Sequence, residues 1–448
     1  MAKVSSRGLS SALSGGAETI VARATPPGRG ALAIIRVSGP DAAALSRRVC
    51  PGVSFEDGWQ ATLTTVRDSE REFVERAIAI PYPSPRSYTG EDMLEITVHG
   101  SSYLIEEVIE AFVIAGARRA EPGEFTRRAV ANGKLDLVQA EAVRDLIEAD
   151  TAWQLQNAQR QLSGALSAAF TEVRGSLIEL LASIEASMDY EAQGVEVAAA
   201  EIKSRLDSSR RCVEELLATA RAGERIRDGA RVVILGPENA GKSTLFNRLC
   251  GSERAIVSPH PGTTRDVIEA EVDLAGVRTI IQDTAGLRER GDAVETEGHR
   301  RALKAADAAD VVIQLWPLGG GESPTAPSAT APLIRVRSKA DLGGDDREED
   351  GWLRVSCHSG KGLDELRSRL IAMVEGEIPD LGGAVAIAAR HRRALHSAAK
   401  ELEGCDPGCP ELAAERVRWA VRSVEELIGE VGPEDVLDAI YSGFCIGK

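Results

Sequence analysis

The segment VVILGPENAGKST at residues 232–244 constrains the fold of this chain more than any other. Its four leading apolar residues predict a buried strand, and the pattern G-x-x-x-x-G-K-S is typical of a loop that opens a helix, here expected over residues 244–250. In such a loop, successive backbone N–H groups curl around phosphate oxygens, Lys242 reaches the outer phosphates and the Ser243 hydroxyl can bind Mg²⁺. The segment therefore predicts an α/β domain that binds a nucleoside triphosphate.

The length and composition set the wider frame. A chain of 448 residues predicts about three domains at roughly 150 residues each. The net charge of −16 restricts any nucleic-acid binding to a local basic face or to a partner. Seven scattered cysteines predict a reducing compartment, hence the cytoplasm, and Cys405 and Cys409 have no further metal ligands near them. No apolar run approaches the ~20 residues of a membrane span, and residues 1–17 resemble a frayed terminus, not a secretory signal.

Hydrophobic periodicity predicts a multidomain α+β and α/β chain. Residues 18–134 mix strands with short helices, which predicts a small α+β domain. Residues 135–227 contain hardly a glycine or proline and carry apolar residues at helical spacing, and the same character returns over 379–448. A Ras-like P-loop domain at 228–378 is therefore expected to interrupt an all-α helical bundle, and we hypothesise that the two halves of the bundle pack together.

Further motifs follow the loop in the order that a guanine-nucleotide switch requires. In GTTRD at residues 262–266, a threonine can supply a hydroxyl to Mg²⁺ and a backbone N–H to the γ-phosphate. DTAG at 283–286 follows a predicted strand, and SKAD at 338–341 follows two more. The Asp341 carboxylate can accept guanine N1–H and N2–H, and adenine would leave it unpaired. The nucleotide contacts predicted on this basis, with Ser243 and Thr264 as Mg²⁺ ligands, are Asn239, Ala240, Gly241, Lys242, Ser243, Thr244, Thr263, Thr264, Asp283, Thr284, Ala285, Gly286, Ser338, Lys339, Asp341, Ser356 and Cys357.

Two positions depart from the common switch pattern. Ser338 stands where the base-recognition motif has asparagine, and its shorter hydroxyl is expected to hydrogen-bond locally and preserve GTP preference. Leu287 stands where a Ras-like switch has the glutamine that orients the attacking water. Glu289, Glu295 and Glu297 are candidates for that role; a solvated helix start rich in glutamate is the alternative.

With these residues in hand, the chain resembles the MnmE (TrmE) family of tRNA-modification GTPases from about residue 18 to its end. The stretch 319–332 has no counterpart that we can place. The motifs that carry the resemblance are TPPGRG at 25–30, GED at 90–92 with Glu95 and His99–Gly100, PGEF at 122–125, KLDL at 134–137, QAE at 139–141 and FCIGK at 444–448.

The resemblance implies a potassium-dependent GTPase. Asn239 and the loop 258–264 are similar to the family's K⁺ site, which implies Ser258, His260 and Thr263 as further K⁺ ligands and Ser258 as a nucleotide contact. A bound K⁺ would stabilise transition-state charge where other switches use an arginine. Two such domains come together across the nucleotide in this family. The resemblance also implies that Glu295 orients the attacking water.

The N-terminal domain resembles the family's folate-binding and dimerisation domain. By motif position, Arg36, Glu95, Lys134 and the terminal Lys448 resemble the residues that hold 5-formyltetrahydrofolate or methylene-tetrahydrofolate. From the residues alone, Arg36 and Glu95 are equally compatible with an ordinary strand surface. Cys445 is either catalytic through its thiolate or a packing residue near the folate.

The implied function is the 5-carboxymethylaminomethyl or aminomethyl modification of wobble uridine in certain tRNAs. A homodimer would act with an MnmG-like partner that uses FAD and NADH. Two rivals stay open at this point: a ribosome-assembly GTPase like Era or Der, and a folate-binding module whose GTPase has decayed. For tRNA contact the chain offers only small basic clusters, Arg127–Arg128 and residues 390–393, and such clusters are more often solvated helix faces.

Overall fold

The structure, a computed structural model, describes residues 18–56, 58–68, 74–191, 199–252, 254–255, 268–283, 304–319, 331–343, 351–375 and 388–429, together with 444 and 447. The strands are β1 Ile20–Arg23, β2 Leu32–Ser38, β3 Thr62–Val66, β4 Glu75–Tyr82, β5 Met93–His99, β6 Arg118–Arg119, β7 Ala230–Leu235, β8 Arg254–Ala255, β9 Ile268–Leu274, β10 Val277–Asp283, β11 Val311–Pro317, β12 Leu333–Ser338 and β13 Trp352–Arg354. The helices with assigned bounds are α1 Ala42–Val49, α2 Ser102–Ala115, α3 Glu124–Ala131, α4 Leu137–Glu148, α5 Ala152–Leu162, α6 Ala165–Glu191, α7 Ala199–Asp228, α8 Lys242–Ser252, α9 Leu363–Glu375, α10 Ala389–Glu403 and α11 Pro410–Ile428. These elements confirm the predicted fold class.

The first sheet has six strands in the order β3-β4-β5-β2-β1-β6. All neighbours are antiparallel except β1 and β6, which are parallel. Alternating residues of β2 and β5, including Ile35, Leu94 and Ile96, are fully buried against α1 and α2, where Phe112 closes the core. The other face of β2 and β5 carries Arg36 and Glu95, so a polar pair lies on the side of the sheet away from α1 and α2.

The second sheet has seven strands in the order β13-β12-β11-β7-β10-β9-β8. Strands β13 to β10 are parallel and β9 is antiparallel to β10. Strand β7 lies between β10 and β11, so the chain passes first to one side of β7 and later to the other. Ligands bind at such a switch point, beyond the carboxyl ends of the strands, and the loop at residues 236–241 begins there.

Two helix pairs bring together segments from before and after this sheet. Helix α6 packs on α11 and helix α7 packs on α10. Leu177, Leu180 and Ile184, which follow one another at helical spacing, are buried on α6. Pro410 at the first turn of α11 and Gly429 in a left-handed conformation after its last residue bound that helix, as helix signals predict. Both pairings support the hypothesis that the two halves of the helical region pack together.

By its internal contacts the chain divides into two compact units. One contains residues 1–144, 162–197 and 405–448, and the other contains 145–161 and 198–404. The first includes the six-stranded sheet with the α6–α11 pair, and the second includes the seven-stranded sheet with the α7–α10 pair. Within the described ranges, every helix is too short or too polar to cross a membrane.

Candidate functional site

The loop after β7 has the backbone conformation of a phosphate cradle. Asn239 has a φ of 57° and Gly241 a φ of 93°, so both lie in the left-handed region. Alternating left-handed residues turn successive N–H groups toward one side of a loop, which forms a concave anion site. At Gly236, a Cβ atom would collide with the carbonyl oxygen of Leu315 on β11, so only glycine fits where the loop leaves the sheet.

Lys242 begins α8 and its side chain folds back over the loop. Its Nζ donates hydrogen bonds to the carbonyl oxygens of Gly236 at 3.0 Å and Pro237 at 2.8 Å. The residue is buried, with 8% of its surface exposed. An ammonium group held at the mouth of the cradle by its own loop is positioned to meet the outer phosphates of a nucleotide.

Ser243 and Asp283 meet at the Mg²⁺ end of the site. The Ser243 Oγ donates to the Asp283 Oδ2 at 2.6 Å, and Asp283 is fully buried. Asp283 ends β10, which runs parallel to β7, so the two carboxyl ends lie side by side. A hydroxyl and a carboxylate in contact supply the hard oxygen ligands that Mg²⁺ prefers, and this donor set fits that ion.

Ser338, the first departure from the common motif, connects the base-recognition loop to the phosphate loop. It ends β12 and is buried, and its Oγ donates to the carbonyl oxygen of Ala240 at 2.6 Å. This contact joins residues 98 positions apart. Ser338 therefore occupies the first position of the base-recognition motif and also forms a hydrogen bond to the phosphate loop across the site.

Asp341 is held by the last loop of the site. Its Oδ1 accepts a hydrogen bond from the Ser356 Oγ at 2.6 Å, and this bond lowers the pKa of the Asp341 carboxyl. The amide of Ser359 donates to the same hydroxyl at 3.1 Å, which orients it. Ser356 thus positions the carboxylate, a role that the sequence pattern did not specify. Burial raises the pKa of the neighbouring Cys357 thiol, so this cysteine stays protonated at neutral pH.

A second cluster lies on the first sheet, on the face away from α1 and α2. The Arg36 guanidinium donates to the Glu95 Oε1 from Nε at 3.0 Å and from Nη2 at 2.7 Å. The hydroxyl of Tyr82 donates to the other oxygen of Glu95 at 3.2 Å. Burial and the nearby Glu95 carboxylate raise the pKa of Tyr82, so it remains a donor at neutral pH. These three side chains form one polar group on neighbouring strands.

Aromatic rings and the chain terminus complete this cluster. The Arg36 guanidinium lies 5.2 Å from the ring centre of Tyr88 and 5.6 Å from that of Phe125. Its Nη1 donates to the carbonyl oxygen of Gly447 at 3.3 Å. Lys134, which is also predicted to hold the folate, donates from Nζ to the carbonyl oxygen of Pro85 at 3.1 Å. Carboxylate, guanidinium and aromatic faces are the groups that a flat, amide-edged ring with an acidic tail requires, so this cluster fits a folate.

Comparisons with known proteins cover nearly the whole chain. The family model described as GTP-binding protein TrmE N-terminus matches residues 19–134, and the one described as MnmE helical domain matches 137–445. The tRNA modification GTPase MnmE of Methylobacterium radiotolerans is 41% identical over 441 residues, which cover 96% of this chain and 99% of the relative. The chain belongs to the MnmE family of tRNA modification GTPases.

Two further relatives of the same name support this membership. The MnmE of Hyphomonas neptunium is 43% identical over 440 residues, covering 96% of this chain and 99% of its own length. That of Akkermansia muciniphila is 38% identical over 446 residues with the same two coverages. The resemblance drawn from the motifs is therefore confirmed, from the N-terminal domain through the helical region.

Not every site residue expected of an MnmE protein lies in the described part of the chain. The predicted nucleotide contacts that lie in the described residues are Asn239, Ala240, Gly241, Lys242, Ser243, Thr244, Asp283, Ser338, Lys339, Asp341, Ser356 and Cys357, and of these Thr244 is exposed on α8. The predicted residues that lie outside the described ranges are Ser258, His260, Thr263, Thr264, Thr284, Ala285, Gly286, Glu295, Cys445 and Lys448. Their roles stay predictions.

The structure also contains a buried ionic network beside the Arg36 cluster, which the sequence did not predict. Glu124, with 1% of its side chain exposed, accepts hydrogen bonds from Arg118 at 2.7 Å and Arg128 at 3.0 Å. Arg128 also contacts Glu91 at 3.1 Å. Burial alone would raise the pKa of Glu124, but the bonds from Arg118, the Glu121 amide and Arg128 outweigh it and lower that pKa. The PGEF motif, which contains Glu124, was the available signal.

Proposed function

We propose that this chain hydrolyses GTP at the carboxyl ends of β7, β10 and β12, and that hydrolysis serves the modification of wobble uridine in tRNA. Membership of the MnmE family supports the general activity, which is GTP hydrolysis in tRNA modification. The observation that carries the assignment of the site is the 2.6 Å contact between Ser243 and the buried Asp283, directly after the phosphate loop.

Each side chain of the site has one task in the proposed reaction. The loop amides and Lys242 bind and orient the phosphates, and Asp341 accepts the two guanine N–H groups. Ser243 and Asp283, with Thr264, would hold Mg²⁺, which neutralises charge on the phosphates when bound. Glu295 would orient the attacking water by accepting its hydrogen bond.

The K⁺ requirement is also part of the proposal. Asn239 is exposed and has a left-handed backbone conformation in the phosphate loop. It would hold K⁺ together with Ser258, His260 and Thr263. The ion, when bound, supplies positive charge beside the phosphates in place of an arginine.

The modification chemistry is proposed to use the Arg36 cluster. Arg36, Glu95, Lys134 and Lys448 would hold a formyl- or methylene-tetrahydrofolate, and the contact between Arg36 and the Gly447 carbonyl supports a terminus that reaches this cluster. Cys445 lies two residues before Gly447 in the chain, and we propose that its thiolate takes part in this chemistry. A homodimer would work in the cytoplasm with an MnmG-like protein that uses FAD and NADH and would form the 5-carboxymethylaminomethyl or aminomethyl group.

The decisive experiment is mass spectrometry of nucleosides from bulk tRNA, in cells with and without this gene. We expect the carboxymethylaminomethyl- or aminomethyl-type uridine to disappear on deletion and to return with the wild-type gene. Complementation with Glu295→Ala should fail although the purified variant still binds GTP. An unchanged nucleoside profile would contradict the modification role and favour a ribosome-assembly switch, which subunit profiles would then test.

A further inference from the structure

We propose that Phe444 and Gly447 are positioning residues that hold the end of the chain at two attachment points, one of them on the Arg36 cluster. Cys445 and Lys448, the two terminal residues predicted to act at this cluster, are each bonded to one of them. The inference rests on the proposed function for the identity of the folate. It goes beyond that function because it gives the terminal motif a second task, which is to build the site before the folate binds.

The first attachment point is a slot at the end of β1 that only glycine fits. Gly447 has a φ of 99°, a conformation that residues with a side chain rarely adopt. A Cβ atom here would collide with the carbonyl oxygen of Arg23 and lie 2.9 Å from the Cα atom of Ala24. The terminal backbone therefore lies directly against the end of β1, and a side chain at position 447 would force it away.

A hydrogen bond from a well-held donor fixes the same point. The Arg36 Nη1 donates to the carbonyl oxygen of Gly447 at 3.3 Å. The guanidinium is held from its other side by Glu95 at 2.7 and 3.0 Å, and its faces lie over the rings of Tyr88 and Phe125. Because Arg36 is fixed by these neighbours, little side-chain freedom is lost when the terminal carbonyl binds to it.

The second attachment point is an apolar contact with α4. Phe444 is buried, with 5% of its surface exposed, and it packs in a small cluster with Leu137 and Val143. Leu135 and Leu162 are partly buried against the same cluster. The burial of a large aromatic side chain is favourable, so this contact supplies hydrophobic attachment where the Gly447 slot supplies precise placement.

The two attachment points leave the last residues little freedom. They are three positions apart in sequence, and three residues of extended chain span at most about 11 Å. The backbone of Cys445 begins at the buried Phe444, and that of Lys448 begins at Gly447. Groups that are already confined lose less entropy when a ligand binds, and they meet a reacting atom in a more uniform geometry.

This degree of attachment is unusual for a chain end. Terminal residues are generally poorly ordered unless specific contacts tie them down. Here a steric slot, a hydrogen bond across 411 positions and a buried ring all involve residues 444–447. The contacts tie the terminus to the sheet that carries Arg36 and Glu95, so they place it at the cluster that the folate would occupy.

The test uses carboxypeptidase B, which removes a C-terminal lysine, on the full chain. Release of Lys448 is followed by intact-mass spectrometry, and its rate reports how often the terminus leaves its attachment points. Phe444→Ala leaves the cleaved bond between Gly447 and Lys448 unchanged. We expect it to release Lys448 roughly tenfold faster than wild type, because the terminus loses its buried ring. Phe444→Leu, which keeps an apolar side chain, should restore most of the protection.

Gly447→Ala tests the slot. It should also release Lys448 roughly tenfold faster than wild type, because the added Cβ atom cannot fit against β1. The rates of the synthetic peptides FCIGK and FCIAK correct for the changed residue beside the cleaved bond. The controls are Leu412→Ala at an exposed position on α11 and Gly175→Ala on α6, where a Cβ atom would have no neighbour within 4 Å. Both controls should release Lys448 at the wild-type rate.

Affinity for 5-formyltetrahydrofolate, measured by calorimetry, separates a positioning role from simple packing. We expect Phe444→Ala and Gly447→Ala to bind it at least about fivefold more weakly than wild type and the controls, because the terminus must then be ordered on binding. Hydrogen exchange of the backbone amides of β2 and β5 should stay at the wild-type level, which shows that the sheet itself is intact.

The possible results separate this proposal from the proposed function. Equal release of Lys448 from wild type, variants and controls would refute the two attachment points. Faster release from the two variants with unchanged folate affinity would refute their positioning role. Faster release from the variants of a chain whose wild type does not bind 5-formyltetrahydrofolate would support the attachment points and refute the folate part of the proposed function.

Discussion

Single side chains decide how the nucleotide site is held together. Ser338 and Ser356 each use a hydroxyl to join two loops: Ser338 bonds to the Ala240 carbonyl, 98 positions away, and Ser356 to the Asp341 carboxylate, 15 positions away. A short hydroxyl reaches these partners because the carboxyl ends of parallel strands lie side by side. Serine at position 338 thus forms a hydrogen bond across the site.

We predict that Ser338→Ala weakens GTP binding by roughly two- to tenfold, because the buried Ala240 carbonyl loses its partner, at a cost of about 0.5–1.5 kcal/mol. Binding of a fluorescent GTP analogue measures the effect, with competition by GTP and ATP. Ser368→Ala, at an exposed position on α9, should leave affinity unchanged and serves as the control. Unchanged affinity in Ser338→Ala would show that the hydroxyl does not support the phosphate loop.

The Glu124 network predicts a pH-dependent stability. Because the pKa of Glu124 is lowered in the folded state, its carboxylate stabilises the fold above its unfolded pKa of about 4.3, and this contribution is lost as pH falls through the folded value. Glu124→Gln leaves two arginines facing a neutral group and should destabilise this region by about 3 kcal/mol at pH 7. Hydrogen exchange of the backbone amides of residues 118–131, at pH 7 and near pH 4, measures this loss of stability.

The exposed pair of Arg119 and Glu106 provides the comparison for that network. Glu106→Gln should change the free energy of local unfolding, as measured by amide exchange, by less than about 0.5 kcal/mol, since both partners are solvated. The Glu124→Gln variant should also show a weaker loss of protection toward pH 4 than wild type. Equal effects of the two substitutions would contradict the assigned role of burial.

At the scale of elements, most helices and strands follow local patterns, and the exceptions have physical reasons. Strand β3, TLTTV, is short and rich in threonine, so its alternation carries little hydrophobic signal. Strand β6 has two residues and exists only through its pairing with β1. Helix α3 follows the left-handed Gly123 and buries Glu124 and Arg128, so charged residues face inward and the usual amphipathic pattern fails.

The contact between α6 and α11 contains two ion pairs that should differ in strength. Arg174 and Glu425 are 2.9 Å apart and mostly buried, whereas Arg418 and Glu185 are 2.6 Å apart and about half exposed. Double-mutant cycles to alanine, read by amide exchange of α11, should give a coupling of about 1 kcal/mol for the first pair and about 0.3 kcal/mol for the second. A stronger coupling in the exposed pair would show that distance matters more than solvent screening here.

At the scale of the whole molecule, the proposed function requires ions and a second copy of the chain. If Asn239 contributes to a K⁺ site completed across the proposed dimer, GTP turnover should rise several-fold in KCl over NaCl at equal ionic strength, and the rate per chain should rise with protein concentration. Asn239→Ala should abolish the difference between the salts but retain GTP binding. Identical rates of the wild-type chain in both salts would contradict the K⁺ assignment.

The sequence by itself determined the phosphate loop, the order of the switch motifs, the long helices and the family, because each depends on residues close together in the chain. Tertiary structure alone decided that Ser243 meets Asp283, that Ser338 bonds to Ala240 and that Arg36 reaches Gly447, 411 positions away. The first two contacts follow from strand order and parallel register, and the third from where the chain terminus packs; local periodicity encodes neither. In the nucleotide site, folding brought distant side chains together because the second sheet aligns the carboxyl ends of strands from separate parts of the chain.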